Sequence, residues 1–174
     1  MNRRTLLTTG TTLSIASLSG CLGLFQSDPE PDEPEEPTPE PPTQEELPPI
    51  PPEYITEAEN YISDAPNSEQ DYYDARTEPD GQVEIETQQG LSIFNPAITV
   101  ITANMSIQWT AGEFEYTIIH DAENPEFDSA VISDGETYTE VFPEPGVYPY
   151  FCELNQRFNM KGAIIVTESP SNDE

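Results

Sequence analysis

Short runs of apolar and β-branched residues follow one another from Val83 onward, each five to seven residues long and bounded by turn residues. Such runs predict β-strands. The seven predicted strands are Val83–Thr87, Ile98–Thr102, Ser106–Thr110, Tyr116–His120, Thr137–Phe142, Gly146–Cys152 and Gly162–Thr167. Because no long helical period interrupts them, residues 81–168 are predicted to form an all-β domain, a Greek-key β-sandwich.

Alternation within "GVYPYFC" assigns the two faces of one predicted strand. Tyr148, Tyr150 and Cys152 share one face, because side chains in a strand point alternately to opposite sides. Cys152 therefore lies at the end of an aromatic strand, at one end of the predicted sandwich.

The residues before the sandwich have a helical pattern. In "ITEAENYIS", Thr56 and Glu59 have the spacing of a capping box, which predicts a short helix within a lead-in segment, residues 53–80.

The segment Asp28–Pro52 consists almost entirely of proline, glutamate and aspartate. This composition cannot form a core and favours extended polyproline II, so a linker of this length could reach about 75 Å. We therefore predict a lipid anchor followed by a disordered acidic linker over residues 21–52, and a short tail over residues 169–174. A proline-rich docking ligand is the competing interpretation, which the absence of a basic flank disfavours.

The N-terminal sequence predicts export. "NRRTLL" resembles a twin-arginine motif, and "LSGC" resembles a lipobox that ends at Cys21. Residues 1–20 are thus predicted to be a signal peptide and Cys21 the site of lipid attachment, which would anchor the protein on the external face of the membrane. An uncleaved signal anchor is the alternative.

Charge excludes several classes of partner. The chain of 174 residues carries 34 acidic and 5 basic residues, a formal net charge of −29. Nucleic acid and anionic lipid would be repelled. Such acidity with a single lysine also suits a halophilic protein, because concentrated salt screens the self-repulsion.

Candidate chemistry is concentrated in "FCELNQRFNMKG", where Cys152 precedes Met160 by eight residues. A thiolate and a thioether are soft ligands suited to copper, although histidine normally completes such a site. The chain has one histidine, His120, elsewhere in the sequence.

Other motifs are weak. "NMS" makes Asn104 a candidate N-glycosylation acceptor in a predicted turn. No Ser-His-Asp set or nucleotide-binding loop is present in the sequence, so we do not expect an enzyme.

Several motifs together resemble the cupredoxins, and specifically the halocyanins, blue copper proteins anchored to the membrane of extreme halophiles. They are "IFNPAITV", "IQWTAGE", "EFDS", "TYTEVFPEPGVYPYFC" and "MKGAIIV". The helix, "DYYDART", the signal, the lipobox and the acidic linker fit the same resemblance, which thus covers nearly the whole chain.

The resemblance implies a type 1 copper held by two histidines, a cysteine and a weak axial methionine. Cys152 and Met160 match two of these ligand positions, whereas Tyr116 and Asn155 occupy the positions of the two histidines. His120 is a weaker candidate ligand, because on a continuous strand it would lie about 13 Å beyond Tyr116.

Three functions stay open on this ligand set. The family role is single-electron transfer to respiratory partner proteins, here through an altered copper site. The second is a divergent, metal-free cupredoxin without a standard blue copper centre, used as a binding or structural module on the cell surface. The third is a weak copper(I) store on the two sulfurs. The second is favoured, because an unperturbed phenol with a pKa of about 10 and an amide are poor substitutes for imidazole.

Overall fold

The computed structural model describes residues 43, 47–123 and 126–170, all within one compact unit, Pro39–Glu174. These residues include one α-helix, α1 (Pro52–Ile62), and a 3₁₀ helix (Glu153–Phe158). The strands are β1 (Tyr73–Asp74), β2 (Gly81–Gln88), β3 (Leu91–Asn95), β4 (Ile98–Thr102), β5 (Ser106–Thr110), β6 (Glu115–Tyr116), β7 (Ile119–His120), β8 (Ile132–Ser133), β9 (Thr137–Val141), β10 (Gly146–Phe151) and β11 (Lys161–Thr167).

Two larger sheets form a sandwich. Sheet 1 has the order β1-β4-β11-β10-β7, sheet 2 has the order β3-β2-β5-β9, and β6 pairs separately with β8. Strands β4 and β11 run parallel, and β10 and β11 are antiparallel. The prediction of an all-β sandwich preceded by a short helix is confirmed.

Aromatic side chains fill the core between the sheets. Trp109 is fully buried and contacts the rings of Phe127, Tyr138, Phe142 and Tyr150. The predicted faces of β10 are confirmed, since Tyr148, Tyr150 and the following Cys152 are all buried in this core.

A second core covers the outer face of sheet 1. Ala58 and Ile62 of α1 pack with Ile98, Val100 and Ile165 of β4 and β11. These two strands are therefore buried on both faces, which explains their nearly continuous apolar sequences.

The helix does not begin as predicted. Its N-cap is Pro51, with Pro52 at the first position, where a missing N–H costs nothing. Thr56 lies inside the helix and its hydroxyl donates to the Pro52 carbonyl, 2.9 Å away. The predicted capping box was therefore wrong.

Several strands differ from the prediction. The predicted strand Tyr116–His120 is divided, because β6 pairs with β8 whereas β7 pairs with β10. Strands β1, β3 and β8 were not predicted; β3 follows β2 through a two-residue turn at Gln89 and Gly90, both with positive φ.

The start of the described chain is held by a buried arginine. The Arg76 guanidinium makes two hydrogen bonds to the Asp74 carboxylate, at 2.8 and 2.7 Å, and donates to the Pro48 carbonyl at 2.6 Å. Such a bidentate pair fixes orientation as well as contact.

Most of the predicted export segments lie outside the described residues. These are the signal peptide 1–20, Cys21, much of the linker 21–52 and positions 171–174 of the tail. No helix within the described ranges is long and apolar enough to cross a membrane.

Gly162 of β11 lies opposite Tyr150 of β10, and a Cβ added there would overlap the Tyr150 ring. We predict that Gly162→Ala lowers the free energy of unfolding by about 1–3 kcal/mol, the usual cost of overpacking. Urea denaturation measures this change. Gly146→Ala is the matched control, because its Cβ would be 3.6 Å from Tyr148, an ordinary contact. Equal stability of the two variants would contradict the prediction.

Candidate functional site

Cys152 directly follows β10 and is fully buried. Its Sγ accepts the Thr117 backbone N–H at 3.4 Å and lies 3.9 Å from the Thr117 hydroxyl. The Asn155 side chain donates its Nδ2 to the same sulfur, at 3.5 Å. The sulfur is thus surrounded by hydrogen-bond donors.

The loop from Cys152 to Met160 is closed by its own backbone. The Cys152 N–H donates to the Met160 carbonyl at 3.1 Å, and the Asn155 N–H donates to the Cys152 carbonyl at 3.2 Å. Asn159 takes the left-handed conformation, φ 53°, that ends the 3₁₀ helix, as asparagine does more readily than most residues. The buried Met160 therefore joins Cys152 and Tyr116 in the same apolar cluster.

Tyr116 is also fully buried. Its hydroxyl lies 3.3 Å from the Ser92 hydroxyl, within hydrogen-bonding distance. Gly112 allows close approach here: a Cβ at that position would lie 2.5 Å from the Ile85 carbonyl oxygen and 3.7 Å from the Tyr116 hydroxyl. The phenol thus fills its space with its polar atom satisfied.

Two residues of this site were not recognised in the sequence. Thr117 bonds Cys152 through its backbone, and its hydroxyl accepts the Glu153 N–H at 2.9 Å. Ser92 lies on β3, a strand that was not predicted. The position of Thr117 directly after Tyr116 was the available signal for Thr117. The sequence offers no such signal for Ser92.

His120 faces other groups. Its ring stacks on Phe127, with centroids 5.1 Å apart, and its Nδ1 accepts the Glu126 backbone N–H at 3.2 Å. That hydrogen bond requires a free lone pair on Nδ1, which the neutral imidazole with its proton on Nε2 provides. Burial lowers the pKa of His120, and the nearby carboxylates of Glu126 and Asp121 offset only part of that change.

The donor set does not fit a type 1 copper. Cys152, Met160, Tyr116 and Asn155 offer a thiol, a thioether, a phenol and an amide, whereas that centre needs two imidazoles. Within the residues that the structure describes, no group of three or more His, Cys, Asp or Glu side chains could hold a metal ion.

Asn104 is exposed in the turn between β4 and β5, with φ 71°, and its N–H donates to the Phe142 carbonyl at 2.7 Å. Its role as a glycosylation acceptor stays a prediction.

Comparison with known proteins gives consistent matches. A family described as "Copper binding proteins, plastocyanin/azurin family" matches residues 82–167. The chloroplastic plastocyanin of Tetradesmus obliquus is 35% identical over 95 residues, which cover 48% of this chain and 65% of that protein. The plastocyanin of Scenedesmus fuscus is 32% identical over 98 residues, covering 50% of this chain and 99% of that protein. The halocyanin of Natronomonas pharaonis is 27% identical over 178 residues, covering 94% of this chain and 96% of that protein.

The buried imidazole predicts a pH dependence of stability. Because the pKa of His120 is below 6.5 in the folded protein, the unfolded chain takes up a proton first as the pH falls. The free energy of unfolding should therefore decrease as the pH falls through about 6.5, by at most about 1.4 kcal/mol per pH unit, and level off below the folded-state pKa. Denaturant titrations of the protein and of His120→Gln measure the difference. A parallel dependence in both proteins would contradict this assignment.

Proposed function

Since the chain belongs to the plastocyanin/azurin family of copper-binding proteins, we propose that it is a divergent cupredoxin without a standard blue copper centre, and that it serves as a binding or structural module on the outer face of the membrane. The observation that carries this proposal is the hydrogen bond from the Asn155 side chain to the Cys152 sulfur. A protein amide thus contacts the thiol that would bind copper in the family.

The state of Tyr116 supports the same interpretation. Its ring is fully buried and its hydroxyl is within hydrogen-bonding distance of Ser92. A phenol with a satisfied hydroxyl has little tendency to rearrange toward a metal, because moving it would break that bond and open a cavity.

The surroundings of Cys152 make a metal unnecessary for the fold. Its sulfur has the Thr117 N–H as a donor, and the loop is closed by the Cys152 N–H and the Met160 carbonyl. A buried cysteine packs as a small apolar residue. The domain therefore needs no copper to hold the loop in place.

The lipid anchor is supported by the lipobox in the sequence, and the described linker residues indicate which end of the domain the linker meets. Pro48, Pro49 and Pro51 line the same surface cavity as Pro145, Thr167 and Glu168. These are residues at the start of β10 and the end of β11, whereas Cys152 lies at the other end of β10. The seven residues of β11 from Lys161 to Thr167 span six steps, about 20 Å at 3.3 Å per step. The linker thus joins the domain at the end away from the candidate site.

A working electron carrier with an altered copper site is the second candidate. The observation that favours it is the retention of both sulfur residues, Cys152 and Met160, buried in one cluster. Its partner would be a redox protein of a respiratory chain. A weak copper(I) store would use the same two sulfurs, which suit the reduced ion.

Copper titration distinguishes these functions. We expect no intense blue absorption when copper(II) is added to the purified protein. We also expect no rise in its melting temperature, because only a ligand that binds the native state stabilises it and copper(II) should not bind. Tyr116→His combined with Asn155→His should develop the thiolate-to-copper absorption, since it restores the imidazoles.

The matched control is Tyr116→Phe combined with Asn155→Gln, which changes the same positions without adding imidazole and should stay colourless. Blue colour in the unaltered protein would contradict the main proposal and support the electron carrier. Tight binding of copper(I) against a competing chelator would instead support the store.

Lipid attachment at Cys21 predicts membrane association. In a host with lipoprotein processing, the full chain should be found in the membrane fraction, and Cys21→Ser should be released or retained only as the unprocessed precursor. Mass spectrometry of the mature N-terminus identifies the lipid. Cys152→Ser is the control for thiol loss and should stay membrane-bound. A soluble mature protein with Cys21 unmodified would contradict the anchor.

A further inference from the structure

Trp109 is the single tryptophan of the chain. Two tyrosine rings contact it, one from each of the two sheets of the sandwich. Tyr138 of β9 stacks on the indole with ring centroids 5.6 Å apart and an interplanar angle of 29°. Tyr150 of β10 meets it edge to face, at 5.4 Å and 80°. Both phenols are close enough for direct electron exchange with the indole.

The two tyrosines differ in what their hydroxyls contact. The Tyr138 hydroxyl donates to the Glu140 carboxylate at 2.6 Å, a short charge-assisted bond. The Tyr150 hydroxyl is buried and has no hydrogen-bond partner among the residues that the structure describes. Burial raises the pKa of the Tyr150 phenol. The nearby Trp109 N–H lowers this pKa by a smaller amount, although the two groups do not have the geometry of a hydrogen bond.

This difference decides which tyrosine can be oxidised. A phenol that loses an electron becomes a very strong acid, so oxidation is easy only where a base can take its proton. Glu140 is such a base for Tyr138, and a positioned base typically accelerates proton transfer by about 10²–10⁴-fold. Tyr150 has no base in reach among the described residues.

We propose that Trp109 and Tyr138 form an electron relay, in which an oxidising equivalent that reaches the buried indole is transferred to Tyr138 while the Tyr138 proton moves to Glu140. This activity is independent of copper and of the lipid anchor. It would allow the domain to move an oxidising equivalent from its core to the edge strand β9, as one electron passes from Tyr138 to Trp109.

The step balances without a metal. A soluble one-electron acceptor takes an electron from Trp109 and is reduced by one electron, leaving the indole radical cation. Tyr138 then gives an electron to the indole and its hydroxyl proton to Glu140. The products are neutral Trp109, a neutral Tyr138 phenoxyl radical and a protonated Glu140 carboxyl.

Other tyrosines are worse endpoints. Tyr61 donates to Asp121 at 2.9 Å and Tyr73 donates to Glu78, but both side chains lie outside the aromatic cluster around Trp109. Tyr148 donates to a backbone carbonyl, that of Glu144, which cannot accept a proton at neutral pH.

The experiment excites the full-length protein at the long-wavelength edge of the indole absorption, with a cobalt(III) ammine complex as the electron acceptor. Because the chain has one tryptophan, the first radical must form on Trp109. Transient absorption should show the indole radical decaying as a phenoxyl radical appears, and electron paramagnetic resonance of the frozen sample should identify a tyrosyl radical.

Three variants test the assignment. Tyr138→Phe should lose the phenoxyl signal, whereas Tyr150→Phe, the matched control at a similar distance from the indole, should keep it. Glu140→Gln retains a hydrogen-bond acceptor but no base, so phenoxyl formation should slow by roughly 100-fold.

Two results would overturn the relay. One is an undiminished phenoxyl signal in Tyr138→Phe, which would place the radical on another tyrosine. The other is an unchanged rate in Glu140→Gln, which would remove the proton acceptor from the mechanism. Neither variant touches Cys152, so copper binding and the relay can fail separately.

Discussion

Antiparallel pairing of β10 with β11, from Gly146 opposite Val166 to Phe151 opposite Lys161, fixes the positions of most other parts of the domain. On one side of this pair Tyr150 reaches Trp109 and the central core, and the absence of a side chain at Gly162 leaves room for its ring. On the other side Ile165 packs under α1. Because the two strands also bound the loop that begins at Cys152, the same pairing that forms the core sets the geometry of the candidate site.

Tyr116 and Asn155 are compatible with the fold because their polar groups are paired. Unpaired polar atoms in a buried region would cost on the order of 1–3 kcal/mol each. Here the Tyr116 hydroxyl is within hydrogen-bonding distance of the Ser92 hydroxyl, and the Asn155 amide donates a hydrogen bond to the Cys152 sulfur. The sulfur in turn accepts a backbone N–H from Thr117. The sandwich thus keeps the architecture of a copper-binding family while the polar groups of the candidate site satisfy one another.

Sequence pattern predicted most of the sandwich because long paired strands impose a period of two on their residues. The sequence pattern failed to predict strands that are very short, and strands whose position depends on the backbone conformation of a turn. Strand β8 has two residues, and β3 depends on a turn with two positive φ values at Gln89 and Gly90. The stretch Tyr116–His120 has a strand's composition, yet β6 and β7 join different partners. The surroundings of His120 were therefore not predictable from alternation, nor was the contribution of Ser92, which comes from another strand.

The basic side chains within the described ranges are already committed, which leaves the acidic surface there uncompensated. Of the five in the chain, three lie in the described ranges. Arg76 is bound to Asp74, Lys161 to Asp64 at 2.8 Å, and Arg157 lies over the Phe158 ring. An exposed pair such as Lys161 with Asp64 contributes little stability, typically below about 1 kcal/mol. Apart from the partly buried Arg76–Asp74 pair, charge pairing therefore contributes little to the stability of the described domain. Its stability therefore comes mainly from the two apolar cores.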